Sequence, residues 1–83
     1  LALGLERIGK TVTVSCPDPA PGEAAWLPSA DRLVDRQPER DELLVAVDVA
    51  EPARLGGGHL TRLWSRTESL VIDHHVTNPG FGQ

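Results

Sequence analysis

The sequence predicts an α/β fold that forms part of a three-layer, doubly wound and mainly parallel sheet. Two apolar runs, 43–49 and 69–73, carry little polar alternation, which is typical of parallel strands covered on both faces. Between them Leu60, Leu63 and Trp64 form an apolar helical stripe. Strand, helix and strand in this order predict a right-handed crossover unit with parallel strands.

The first residues predict a helix followed by a strand. Leu1, Leu5 and Ile8 share one helical face, and Gly9 stands where a helix-ending glycine is expected. Residues 11–16 alternate β-branched and small side chains, which predicts a strand that ends at a buried Cys16. Prolines then break regular structure, and residues 23–42 predict only short helical turns near 24–27 and 31–35.

The connection between the two apolar strands predicts a turn and a crossover helix. Pro52 can open a short helical turn, residues 56–58 are three glycines, and His59 is expected at the start of the helix. Trp64 is expected in the core, whereas Trp26 could cover the sheet or line a partner surface. Six arginines predict a solvated face: Arg32, Arg36, Arg40, Arg54, Arg62 and Arg66. Of these, Arg54 is the candidate for a phosphate contact.

Composition bounds the class of protein. Eighty-three residues with a formal net charge of −4 predict at most one small domain and disfavour a footprint on duplex nucleic acid. An anionic ligand could still bind through a metal ion. No apolar run approaches the roughly 18 residues of a membrane span, and the lone Cys16 excludes an internal disulfide. The cytoplasm is the expected compartment.

Polar side chains follow both apolar strands. Asp48 lies near the end of the first run, and Asp73, His74 and His75 come at the end of the second. Carboxyl ends of parallel strands share one edge of a sheet, so the two aspartates are expected roughly 5–10 Å apart. Carboxylate and imidazole suit Mn²⁺, Co²⁺ or Zn²⁺, and a histidine can also contact an anion. The sequence therefore predicts a metal site at this edge.

These residues resemble the DHH family of phosphoesterases, whose name is the tripeptide at 73–75. Residues 43–50 are similar to the second motif of the family, and residues 71–78, through Asn78, are similar to the third. Residues 9–14 are similar to a stretch that precedes the second motif in one branch. Members of that branch, the bacterial oligoribonucleases, degrade very short oligoribonucleotides and dephosphorylate 3′-phosphoadenosine 5′-phosphate.

The resemblance implies a hydrolase that uses two Mn²⁺ ions, or Mg²⁺ or Co²⁺, to attack phosphorus with a metal-held hydroxide. It implies that Asp48 bridges the metals and that His74 is a ligand. It gives His75 the contact with the substrate phosphate, and Asp73 the orientation of an imidazole. Asn78 either contacts the phosphate or braces the loop. A short nucleotide is the expected partner, and a homodimer of the intact protein is allowed.

Residues 1–83 are expected to be a partial catalytic domain, without the first and fourth motifs and the C-terminal substrate domain. The chain alone is therefore predicted to be inactive. Gly56 to His59 spell a substrate motif of that absent domain, but their position predicts only a turn. Three related enzymes remain alternatives: a cyclic dinucleotide phosphodiesterase, a RecJ-type exonuclease and a manganese pyrophosphatase. A non-catalytic DHH-fold binding or regulatory protein is an alternative of another class.

Overall fold

The structure is a computed structural model that describes residues 1–18, 20–35, 42–56 and 58–82. The chain divides into two compact units, Leu1–Arg36 and Gln37–Gln83. In the part of the chain that the structure describes, no helix is long and apolar enough to cross a membrane. The candidate site lies entirely in the second unit.

The first unit begins with helix α1, Ala2–Arg7. The helix ends as the sequence predicts, because Gly9 takes a left-handed φ of +87°. The amide of Gly9 donates to the carbonyl of Glu6 at 3.0 Å, and the amide of Lys10 donates to that of Leu5 at 3.1 Å. These two bonds satisfy carbonyls that the last turn would otherwise leave without partners.

An ion pair joins α1 to a short 3₁₀ helix, Ala30–Arg32. Arg32 holds Glu6 through both guanidinium nitrogens, and Nη1 lies 3.0 Å from Oε2. The bond from Arg32 lowers the pKa of Glu6, and the same bond raises the pKa of Arg32. Arg32 therefore departs from the solvated arginines that the sequence predicts. Arg36 and Arg40 lie outside the described residues.

The predicted strand over 11–16 is wrong. Within the described residues of this segment, only Ser15 forms a bridge, and its parallel partner is Val34. Alternating side chains favour an extended backbone, but a strand also needs a partner of matching length. Cys16 is half-buried rather than buried, and Trp26 is 78% exposed. The weak helical turns occur as 3₁₀ helices at Gly22–Ala24 and Ala30–Arg32.

The second unit is built on two parallel strands, β1 (Leu44–Val47) and β2 (Ser69–Ile72). They pair in register from Leu44 opposite Ser69 to Val47 opposite Ile72. A 3₁₀ helix, Pro52–Leu55, and helix α2, Gly58–Trp64, connect them. This confirms the predicted order of strand, helix and parallel strand, and the helical turn that begins at Pro52. The unit is a small mixed α/β arrangement with a two-stranded sheet among its described residues.

The sheet is covered better on one face than on the other. Paired residues point to the same side, and successive residues alternate between sides. One face has two buried residues, Ala46 and Ser69; the opposite face leaves three side chains exposed by 45–55%, namely Val47, Leu70 and Ile72. The expectation of two covered faces is therefore met on one side only in the described residues.

Trp64 anchors the small core, as the sequence predicts. It is 6% exposed, and its ring lies 5.6 Å from that of Phe81 at an interplanar angle of 50°. Its indole Nε1–H donates to the carbonyl of Phe81 at 3.1 Å. The end of α2 thus holds the segment that follows the candidate site.

Candidate metal centre

The two strands deliver their polar residues to the same edge of the sheet. Asp48 and Asp73 each follow directly after the last paired residues, Val47 and Ile72. The amide of Asp48 donates to the carbonyl of Ile72 at 2.9 Å, which continues the pairing by one residue. Because β1 and β2 are direct neighbours, no other strand separates the two exits.

Asp48 leaves the strand with a left-handed backbone. Its φ is +59°, a conformation that aspartate tolerates better than most residues with a side chain. The side chain is 67% exposed, and Oδ1 lies 3.2 Å from Nε2 of His74 and 3.8 Å from Nδ1 of His75. The turn at Asp48 therefore presents its carboxylate to both histidines.

Asp48, His74 and His75 form a group that could hold a cation. Each offers one ligand atom, and these atoms all lie within 4.8 Å of one another. The imidazole rings are 4.6 Å apart at their centroids. One carboxylate oxygen and two imidazole nitrogens suit Mn²⁺, Co²⁺ and Zn²⁺. These donor types are ones that the predicted metal takes, and the group is open to solvent, since the His74 side chain is 84% exposed.

Asp73 lies behind this group. Its side chain is only 1% exposed, and its Oδ1 lies 2.6 Å from Nδ1 of His75. The other oxygen, Oδ2, accepts a hydrogen bond of 2.7 Å from Nδ2 of Asn78. The bond from Asn78, and then the bond with His75, lower the pKa of Asp73 to about 2. Asp73 therefore contacts one imidazole of the group, which is the arrangement that an orienting residue requires.

The contact with Asp73 also defines the state of His75. A carboxylate only accepts, so Nδ1 of His75 carries the hydrogen and Nε2 is left for another partner. Asp73 raises the pKa of His75, and the charge of Arg54 opposes this with a smaller effect.

The structure places the five predicted site residues in two layers. Asp48, His74 and His75 form the exposed group, and Asp73 and Asn78 lie behind it. The resemblance gives His75 a phosphate contact, and the structure places it beside Asp48 and His74, with one ligand atom of each within 4.8 Å of the others. Sequence reasoning missed the carbonyl of Val49, which accepts from Asn78 at 3.3 Å. No residue type signals such a backbone contact.

The side chain of His59 lies outside the described part of the structure, and so does Gly57. Gly56 ends the 3₁₀ helix with a φ of +103°, which fits the predicted turn. No protein-family model matches this sequence. The assignment of a function therefore depends on the residues and the geometry of the site.

Proposed function

We propose that this chain is part of the catalytic domain of a DHH-like, metal-dependent phosphoesterase. The substrates are short oligoribonucleotides or 3′-phosphoadenosine 5′-phosphate. One observation carries the proposal: two neighbouring parallel strands end in Asp48 and in Asp73-His74-His75, and three of these side chains come within ligand distance of one another. Each residue alone is common at a strand exit, but their convergence is what a metal site requires.

In this proposal Asp48 and His74 would hold Mn²⁺. Bound there, the ion would lower the pKa of a water molecule and so supply a nucleophile for phosphate ester hydrolysis. With both ring nitrogens protonated, His75 would donate Nδ1–H to Asp73 and Nε2–H to a phosphate oxygen, and Asp73 orients the ring for that contact. Arg54 is the arginine that the sequence offers as a further contact for the same anion.

The proposal includes a larger fold than the two described strands. A three-layer, doubly wound sheet would cover the exposed apolar face of Val47, Leu70 and Ile72 with further helices. Asp48 and His74 supply two donors, fewer than the four to six that such a cation usually takes, so the proposal needs further ligands. We therefore expect the isolated chain to bind one Mn²⁺ weakly and to show no turnover.

Metal binding is the first test. We expect the full chain to bind Mn²⁺. Titration calorimetry, or the electron paramagnetic resonance signal of the free ion, can measure this binding. Asp48→Asn and His74→Gln should each weaken binding by at least about 10-fold, because even outer partners of a ligand are worth about 10–100-fold. Glu51→Gln is the control for Asp48→Asn, because it also removes one carboxylate charge, from an exposed residue nearby. It should leave the Mn²⁺ affinity unchanged. Equal weakening by all three variants would argue against a site.

Hydrolysis is the second test. The protein that contains this chain, loaded with Mn²⁺, should release products from diribonucleotides or from 3′-phosphoadenosine 5′-phosphate. Inactivity on both after metal loading would defeat the proposal. Cleavage of pyrophosphate or of a cyclic dinucleotide instead would assign the chain to a related enzyme class. Metal binding without any turnover would indicate a regulatory or binding protein with the same fold.

A further inference from the structure

Asn78 is the residue around which the two strand exits are tied together. Its Nδ2 donates to Oδ2 of Asp73 at 2.7 Å and to the carbonyl of Val49 at 3.3 Å. Its Oδ1 accepts from the amide of Gly80 at 2.8 Å, and its own amide donates to the carbonyl of His75 at 3.1 Å. Four contacts therefore converge on one half-buried side chain and its backbone.

The carboxamide nitrogen has two N–H hydrogens and two protein acceptors. These acceptors are Oδ2 of Asp73 and the carbonyl of Val49. Of the two roles that the sequence leaves open, contact with phosphate and bracing of the loop, the geometry favours the second.

The two acceptors lie on different sides of the site. Val49 directly follows Asp48 after β1, whereas Asp73 follows β2 and holds His75. A single planar amide that bonds to both exits limits how far the exits can separate. The distances from Asp48 to the two histidines, 3.2 and 3.8 Å, depend on that separation.

We propose that Asn78 is a positioning residue that sets the spacing between the Asp48 carboxylate and the two histidines by bridging Val49 and Asp73. This inference rests on the proposed function, because the geometry that Asn78 maintains is that of the metal-binding group. Asn78 touches neither the metal nor the substrate. It acts through Asp73 on one side and through the backbone after Asp48 on the other.

The competing interpretation is that Asn78 only builds the turn with Pro79 and Gly80, since its Oδ1 accepts from the Gly80 amide and Gly80 has a φ of +73°. Asn78→Asp separates the two. An aspartate keeps an oxygen for the Gly80 amide, but it loses both N–H donations and places a second carboxylate beside Asp73. The variant therefore keeps the turn at Gly80 and loses the bridge between Val49 and Asp73.

The two interpretations predict opposite changes in the Mn²⁺ affinity of the full chain. As a bridge, Asn78→Asp should weaken binding by about 10–100-fold although it adds a negative charge near the site. Thr77→Asp, at an exposed neighbouring position, adds the same charge and should leave binding equal or tighter. If Asn78→Asp binds as tightly as the wild type or more tightly, the bridging role is wrong.

A second measurement uses the wild-type chain without metal, so it does not depend on how a variant folds. Both side-chain amide protons of Asn78 should exchange with water more slowly than those of a free carboxamide. Fast exchange of both protons would overturn the inference. If the wild type binds no Mn²⁺, the proposed function fails, and the exchange rates still decide the role of Asn78.

Discussion

Asp48 combines a left-handed backbone with a proposed metal-binding carboxylate, and two substitutions distinguish the effects of these two features. Asp48→Ala and Asp48→Gly both remove the carboxylate and its contacts with His74 and His75, so they differ only in the backbone. Residue 48 has a φ of +59°. An L-residue there costs about 1–2 kcal/mol, and the greater freedom of glycine in the unfolded chain offsets about 0.5–1 kcal/mol. We expect Asp48→Gly to be the more stable variant by about 0.5–1 kcal/mol.

Thermal unfolding followed by circular dichroism can measure this difference. In a chain of this size 1 kcal/mol corresponds to about 4–8 °C in Tm, so Asp48→Gly should melt about 2–8 °C above Asp48→Ala. Both should lose the Mn²⁺ affinity of the wild type. Asp48→Asn is the control, because asparagine tolerates the left-handed backbone but lacks the charge. An alanine variant as stable as the glycine variant would refute the left-handed turn, and retained binding in either would refute the ligand role.

Three further outcomes follow from other parts of the chain. Trp64→Ala should lower the free energy of unfolding by about 3–5 kcal/mol, because Trp64 is buried. Trp64→Phe, which removes the hydrogen bond to the Phe81 carbonyl, should lower it by about 1 kcal/mol or more. Equal losses for the two variants in urea unfolding would contradict this. The folded chain should lose stability as the pH falls from near 4 towards 2, because Asp73 has a pKa of about 2 when folded and 3.8 as its ordinary value. Asp73→Asn should flatten that part of the pH profile, and an unchanged slope would argue against the contacts of Asp73. Gly9→Ala should lower the free energy of unfolding by about 1 kcal/mol, because Gly9 has a φ of +87°, although nothing lies within 4 Å of the added methyl group. An unchanged Tm would show that α1 ends differently.

Local pattern was enough to predict several elements. The helix that ends at Gly9 and the helical turn at Pro52 depend on residues a few positions apart, so neighbouring side chains and glycine freedom specify them. The parallel pairing of β1 and β2 also follows from sequence, because apolar runs joined by a helix leave few other topologies. The strand over 11–16 failed because its partner lies far along the chain and only Val34 pairs with it.

The candidate site shows the same division. The sequence by itself determined which residues reach the edge of the sheet, since Asp48 and Asp73 each end an apolar run of a parallel pair. Only the tertiary structure decided how differently the two carboxylates are exposed. A left-handed turn exposes Asp48 towards the histidines, while Asn78 and His75 enclose Asp73 so that 1% of its side chain is exposed. The two strand exits diverge because the backbone turns at Asp48, whereas hydrogen bonds with His75 and Asn78 hold the carboxylate of Asp73, and no local pattern encodes these contacts.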